Sequence, residues 1–517
     1  MEKEVTIDLL LLSVFIRQCS TGDSMKYLLS GYEMKNWEKQ AMENYKTPSL
    51  LLMERAAMAV TEELLGGGYD LHKVLIACGT GNNGGDGFAI ARMLKTKGYS
   101  VEVCVAGSLE RLTPDAKQQL EMYQAISGKF VTDPVYEEYT VIVDALFGIG
   151  CNREITGIAA QVIDGMNQSG VQVVSVDVPS GISADTGKVC GCAVRAASTV
   201  TFFTEKLGMM LYPGYDHCGK IVVADMGIPV EASEQCSAVA YGEKDLEKLP
   251  KRKNNSHKGT YGKVLVIAGS PNISGAAYFA ACAAYRMGSG LVKILTAQEN
   301  KQAMQVLLPE ALLEAYDKGR LSNKQINQCL EWADVIVIGP GLGTDKTAEK
   351  LVKYVLGKAR VPLVVDADGI NILAKDKACL LDAQAPLVLT PHIQEMARLL
   401  GCDREELLKN PMGTAKKFAE NYPVVLVLKD ARTIVIKNKE TPYINVSGNH
   451  GMATGGSGDV LAGIIGSLAG QGMSPFEAAK LGVYLHGKAG DMAAKAKGMY
   501  GMTASDLLDG IFEVTKV

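Results

Sequence analysis

Three aspartates stand where acid–base chemistry is easiest to build. Asp144 lies at the end of the apolar run in TVIVDALFGIG, Asp177 does the same in VQVVSVDVPSG and is followed by Ser180, and Asp459 sits in GGSGDVLAG behind a run of glycines. In an open parallel sheet, acids at carboxyl strand ends face the crevice where ligands bind. A glycine-rich stretch, GTGNNGGDG at 79–87, follows another apolar run, and Gly79, Gly81 and Gly84 fit the dinucleotide fingerprint. That fingerprint normally seats pyrophosphate on backbone N–H groups, with an acid about twenty residues later on the ribose. Here the next strand, VEVCVAG, ends without that acid, and Asp86 within the stretch would repel phosphate. A cation or a hydroxyl-rich ligand suits it better, unless it is a plain glycine turn. Each acid alone could also cap a helix or brace a turn.

Asp459 has the strongest surroundings. NVSGNHGMATGGSGDVLAG at 445–463 places glycines ahead of an apolar helix, so that N–H groups at the helix start can cradle an anion. The Lys-Ser/Thr pair of a Walker loop is missing. A carboxylate beside an anion hole can accept a proton from a hydroxyl attacking a phosphoryl group, which makes Asp459 the first catalytic candidate. Its bland alternative is an acid complementing the helix dipole.

These residues need elements to hold them. From about residue 73 short apolar runs alternate with helical segments (KVLIACG, FAIARMLKTKG, VEVCVAG, TVIVDALFGIG, VQVVSVDVPSG), and TVTFFTEKLG and GKIVVADMG continue the pattern. Such alternation predicts a parallel sheet covered by helices. The charged stretch 241–262 reads as a linker, and the alternation restarts at GKVLVIAGS. The expectation is therefore an N-terminal extension at 1–24, an α/β domain at 25–240, a linker at 241–262 and a second α/β domain at 263–517. A chain of 517 residues is long enough for two cores.

Composition narrows the partners. A net charge of -4 gives no general attraction for nucleic acid or an anionic membrane, so neither is expected. LLLLSVFI near the start is too short to span a bilayer, and Glu2, Glu4 and Asp8 spoil a secretory signal. Twelve cysteines without a paired framework, with Cys78 and Cys104 inside apolar runs, suit a reducing cytosol. A cytoplasmic homo-oligomer is the expectation.

GTGNNGGDGF, DALFGIGCNREITG, SVDVPSGISADTG and TEKLGMMLYPG together resemble the NAD(P)HX epimerase domain, a Rossmann-like fold. The resemblance implies interconversion of the two epimers of hydrated NADH and NADPH beside a bound potassium ion. It places potassium on Asn83, Asp144 and Ser180. It places the hydrate against Asn82, Asn83, Gly84, Gly85 and Asp86, against Gly148, Ile149, Gly150, Cys151, Asn152, Arg153 and Glu154, and against Asp177. Asp177 is then the general acid/base on the hydroxyl, because epimerisation must protonate and regenerate a leaving oxygen. Lys206 in TEKLG is either a helper or a structural lysine.

GGSGD before a small-residue helix resembles the ribokinase-like fold. With SHKGTYGKVLVIAGS, GPGLG, DADGINIL and LTPHIQEMARLLG the resemblance narrows to the ADP-dependent NAD(P)HX dehydratase. That implies phosphorylation of the hydrate's hydroxyl by ADP, then expulsion of phosphate. It puts the hydrate at Ala276, Gly341, His392 and Asp459, and the adenine nucleotide at Lys429, Asp430, Ala431, Arg432, Thr433 and Gly458. Lys429 and His392 have ordinary alternatives, an exposed strand end and a hydrogen-bonded structural histidine. Glu395 could orient magnesium through water or be an exposed helical acid. Ile393, Gln394 and His450 depart from the family pattern, in loops over the site rather than at catalytic atoms. The competing reading is a ribokinase-like small-molecule kinase with a non-catalytic N-terminal binding domain.

Overall fold

The computed structural model describes residues 25–228, 236–317 and 320–516. The expected extension at 1–24 lies outside the described residues. The chain divides into two compact units, one ending at Ala238 and the other starting at Val239.

In the first unit seven strands form one parallel sheet: β1 (Val74–Cys78), β2 (Val101–Val105), β3 (Lys129–Phe130), β4 (Val141–Ala145), β5 (Gln172–Val176), β6 (Ser198–Phe202) and β7 (Lys220–Ala224). Their order is β3-β2-β1-β4-β5-β6-β7, the Rossmann-like order, which reverses direction between β1 and β4. The period of two in β1 explains why both faces are covered. Val74, Ile76 and Cys78 pack into one apolar cluster with α2 (Ser49–Gly66) and α3 (Asn82–Thr96), while Leu75 and Ala77 enter another. That second cluster includes Val162, Ile163 and Met166 of α4 (Ile158–Gln168). A further helix, α1 (Gly31–Tyr45), begins at a capping box between Ser30 and Glu33.

NNGGDG is not a loop. α3 starts at Asn82, so these residues form its first turns. Glycine makes this possible, because a Cβ at Gly84 would overlap the Gly79 carbonyl and one at Gly87 would come within 2.6 Å of Cys78 Sγ. The helix can thus start hard against the end of β1.

The second unit carries β8 (Lys263–Ile267), β9 (Leu291–Ala297), β10 (Leu312–Tyr316), β11 (Val335–Ile338), β12 (Leu363–Val365), β13 (Leu387–Leu389), β14 (Val424–Leu428), β15 (Ile434–Lys437) and β16 (Tyr443–Ile444). They run in the order β16-β15-β14-β13-β12-β11-β8-β9-β10. All are parallel to their neighbours except β15, which is antiparallel to β14 and β16. Here the order reverses between β8 and β11. The stretch expected as a linker holds two short 3-10 turns, Glu243–Lys248 and Lys258–Tyr261, and Tyr241 is buried with its ring 4.8 Å from that of Tyr443. No helix among the described residues is long and apolar enough to cross a membrane.

Candidate active sites

Each unit keeps its polar machinery along the rim formed by the carboxyl ends of its parallel strands, beginning at the reversal point, where two connections leave in opposite directions and open a crevice, and running on past it. In the first unit Asp144, on β4, is fully buried and its carboxylate is surrounded by donors. Ser180 Oγ lies 2.5 Å from Oδ1, Ser180 N and Ser175 Oγ donate to Oδ2 at 2.9 and 2.8 Å, and Leu146 N donates to Oδ1 at 3.3 Å. Burial pushes Asp144 above the usual carboxylate range, and the Ser180 hydrogen bonds pull against it. Asp144 therefore ties the end of β4 to the loop after β5.

Asp177 follows β5 with φ of 67°, a left-handed conformation that Asp tolerates better than most side chains. Its Oδ1 is 2.6 Å from Lys206 Nζ, and Lys206, only 1% exposed, also donates to Thr201 Oγ1 and the Phe202 carbonyl. Lys206 thus orients and neutralises Asp177. Asp86, buried in α3, is held well above its ordinary value by burial, with the charges of Asp177 and Glu38 adding to the effect.

The proposed potassium ligands pass a test of chemistry. Asn83, Asp144 and Ser180 offer oxygen atoms and one carboxylate, the donor type alkali and alkaline-earth cations prefer. Asn83 Nδ2 is buried with no hydrogen-bond partner, while its Oδ1 and Asp177 Oδ2 each lie 3.1 Å from where a Cβ on Gly148 would stand. The unpartnered N–H2 calls for an acceptor, which an oxygen of the substrate can supply, while Oδ1 is the Asn83 atom that can face a cation. Along 148–154, Cys151 is buried whereas Asn152, Arg153 and Glu154 are exposed.

In the second unit Gly341, after β11, meets Ala276 on α5 (Gly275–Arg286) across the reversal point; a Cβ on Gly341 would be 2.9 Å from Ala276 Cβ. Farther along the rim, Lys429 at the end of β14 reaches Asp366 at the end of β12, Nζ to Oδ1 2.6 Å, and Thr390 Oγ1 donates to the same oxygen at 2.7 Å. Both point at the start of α8 (Ser457–Gly470): a Cβ on Gly458 would stand 3.1 Å from Lys429 Nζ and 3.7 Å from Asp366 Oδ2. Gly456 precedes that helix with φ of 92°. Burial lowers the Lys429 ammonium, but Asp366 and Glu395 outweigh it and hold it above the usual lysine range.

Asp459, in the first turn of α8, is pushed up to about 7 by burial and by Asp366, against the opposing pull of Lys429. A carboxylate poised there takes or gives a proton readily near neutral pH. His486, on α9 (Pro475–Lys497), lies with Nε2 3.2 Å from Ser457 Oγ; burial pulls it down to about 4, so it stays neutral and steadies the helix start.

His392 and Glu395 have firm structural duties. His392 caps α7 (Ile393–Leu400), its Nδ1 accepting from the Gln394 and Glu395 N–H groups, and Glu395 Oε2 accepts from His392 N at 2.8 Å. Glu395 is not an exposed helical acid but a buried one, and Lys429 is not an exposed strand end but a lysine ion-paired to Asp366, its side chain 18% exposed. Asp430 to Thr433 form the turn from β14 into β15, with Thr433 Oγ1 donating to the Asp430 carbonyl.

Asp366 is the residue that sequence reasoning missed here. The rule that singled out Asp144 applies to VPLVVDADG as well, since Asp366 directly follows β12.

A half-buried or buried carboxylate on the strand-end rim of each α/β unit, one of them at a glycine-flanked helix start, is the arrangement of an enzyme with two sites. The chain matches a family model described as YjeF-related protein N-terminus over residues 49–208 and one described as NAD(P)H-hydrate dehydratase over residues 264–513. It is 40% identical over 514 residues to a bifunctional NAD(P)H-hydrate repair enzyme Nnr from Moorella thermoacetica, spanning 93% of this chain and 95% of that relative. The protein of the same name from Escherichia coli is 35% identical over 479 residues, spanning 92% and 91%. A solved ADP/ATP-dependent NAD(P)H-hydrate dehydratase from Bacillus subtilis is 30% identical, with a TM-score of 0.46, and covers 53% of this chain and 96% of that one. The chain belongs to the bifunctional NAD(P)H-hydrate repair enzyme family. The small-molecule kinase reading is not favoured by relatives matched over both units.

Proposed function

We propose that the first unit interconverts the R and S epimers of NADH and NADPH hydrates, and that the second converts the S epimer to NADH or NADPH at the expense of ADP, releasing AMP and phosphate. The observation that carries this reading is Asp459, half-buried at the glycine-flanked start of α8, where Lys429 and Asp366 also point. Asp459 accepts the proton of the hydrate's hydroxyl as its oxygen attacks the terminal phosphoryl group. The leading N–H groups of α8, which have no intrahelical acceptor, and Lys429 receive the developing charge. Phosphate then leaves the ring carbon, drawn out by the ring nitrogen lone pair, and loss of a proton from the adjacent carbon restores the dihydropyridine.

In the first unit Asp177, fixed by Lys206, exchanges a proton with the hydroxyl. Asn83, Asp144 and Ser180 would hold potassium, which when bound supplies a fixed positive charge beside the hydrate. Backbone at Gly148 lets the substrate approach closely, whereas Gly84 and Gly85 owe their lack of a side chain to packing on Gly79 and Met53. Magnesium has no protein cage at Glu395 and would accompany the nucleotide phosphates. A cytoplasmic homo-oligomer remains the proposed form.

The separated hydrate epimers, incubated with the full chain in potassium buffer with ADP, ATP or no nucleotide, test both halves. Recovery of reduced-nicotinamide absorbance from the S epimer only with nucleotide, and from the R epimer at a rate limited by epimerisation, is expected. Recovery from neither epimer would overturn the reading.

A further inference from the structure

Helix α1 precedes the matched family segment, which begins at residue 49, yet it lies against the first site. Residues spaced by four and then three share a helix face. Gly31, Lys35 and Glu38 form such a stripe; the first two touch the 148–154 loop, and the helix repeat puts Glu38 on the same face one turn further on. Gly31 packs so closely on the 148–154 loop that a Cβ there would be 2.6 Å from the Ile149 carbonyl, and Gly31 N donates to Asp185 Oδ1 at 2.6 Å. One turn on, Lys35 Nζ is 3.7 Å from the Cβ position of Gly150. Next to the stripe, Trp37 sets its ring edge-on against Phe203 at 5.9 Å, pinning the helix to the segment that carries Lys206.

We propose that α1 is a wall of the epimerisation site whose inner stripe supplies two further site residues: Glu38, a second acid–base group opposite Asp177 at the hydroxyl-bearing carbon, and Lys35, which binds a phosphate of the dinucleotide beside Gly150. The proposal rests on the epimerase reading given above.

The environment of Glu38 suits that role. The charged groups facing it are Asp177, Lys206 and Lys35, and Asp86 in turn feels its charge. Burial first and the Asp177 charge second push Glu38 up to about 7, although Lys206 and Lys35 pull it down. Glu38 thus holds its proton up to near neutral pH, across from an Asp177 that is tied to Lys206 at 2.6 Å. Two carboxyl groups in different surroundings can serve the two faces of one carbon.

Glu38 protonates the hydroxyl. The C–O bond breaks with its electron pair leaving on water, and the ring nitrogen lone pair forms the iminium. Water adds to the opposite face through an oxygen lone pair, and Asp177 takes the proton it sheds. The reverse direction exchanges the roles of the two carboxyls, and solvent exchange restores the starting state. Atoms and charge balance without a further reactant.

The test uses the full chain, with epimerisation followed by NMR on the isolated hydrates and dehydration of the S epimer as the control for folding. Glu38→Gln is expected to lower kcat for epimerisation by at least about 100-fold, in the range general acid–base groups contribute, with KM nearly unchanged and dehydration intact. The wild-type rate should fall as pH rises past about 7, where Glu38 loses its proton, and that limb should vanish in Glu38→Gln while Glu38→Asp keeps it. Lys35→Met should raise KM by about tenfold with little change in kcat. Full epimerase activity in Glu38→Gln, or a pH limb that survives the substitution, would overturn the assignment. If the wild type itself fails to epimerise, the underlying reading falls and takes the assignment with it.

Discussion

Asp459→Asn should destroy dehydration and at the same time make the protein more stable. Held in the fold, the Asp459 carboxyl ionises near 7 instead of near 3.8, because burial and Asp366 oppose its charge more than Lys429 supports it. The folded state therefore binds the proton more tightly than the unfolded chain does, and stability is lost as pH climbs through that window. At about 1.4 kcal/mol per tenfold change in proton affinity, the cost reaches at most about 4 kcal/mol by pH 8 and stays under about 1 kcal/mol at pH 4. Asparagine keeps the shape without the charge, so the variant escapes this cost. Calorimetry of wild type and variant at the two pH values should show a melting transition raised by several degrees at pH 8 and almost unmoved at pH 4. A variant that melts below wild type at pH 8, or keeps dehydratase activity, would refute the reasoning.

Asp177→Asn should abolish epimerisation and spare dehydration; Asn tolerates the positive φ but leaves the buried Lys206 ammonium without its counter-charge, so the variant should lose about 3–5 kcal/mol, and Asp177→Ala more, as denaturation curves would show. Lys429→Met strands Asp366 in the interior and should destabilise the protein by about 3–5 kcal/mol, most of which Asp366→Asn in the same chain should return. Gly148→Ala brings a methyl within 3.1 Å of Asn83 Oδ1 and Asp177 Oδ2, so epimerase KM should rise at least tenfold while the melting temperature barely moves. Ser180→Ala removes one of the donors on buried Asp144 and should cost about 1–3 kcal/mol, together with the potassium dependence of epimerisation measured in sodium against potassium buffer.

The strands were legible because apolar runs of four to seven residues alternate with helical stretches, and the acids that end them point to the rim by topology alone. Asp144 and Asp177 were found that way. Asp366 obeys the same rule at the end of VPLVVDADG, but Asp368 two residues on competes with it until the strand is seen to stop at Val365. The early start of α3 is hidden in the sequence because five glycines in nine residues lower helix propensity, and only packing against Gly79 overrides it. Glu395 reads as a solvent-facing acid in any helical pattern until the cap it forms with His392 is seen. Glu38 and Lys35 are hidden in the same way, since charges on an amphipathic helix are read as its wet face.

Gly79 and Gly84 meet main chain to main chain, with no side chain between them. A wall made of peptide groups cannot be retuned by substitution, because every alternative residue brings an atom for which there is no room. Any drift in which reduced dinucleotide this family member prefers must therefore be written elsewhere, and the exposed side chains of Asn152, Arg153 and Glu154 are the nearby positions still open to it.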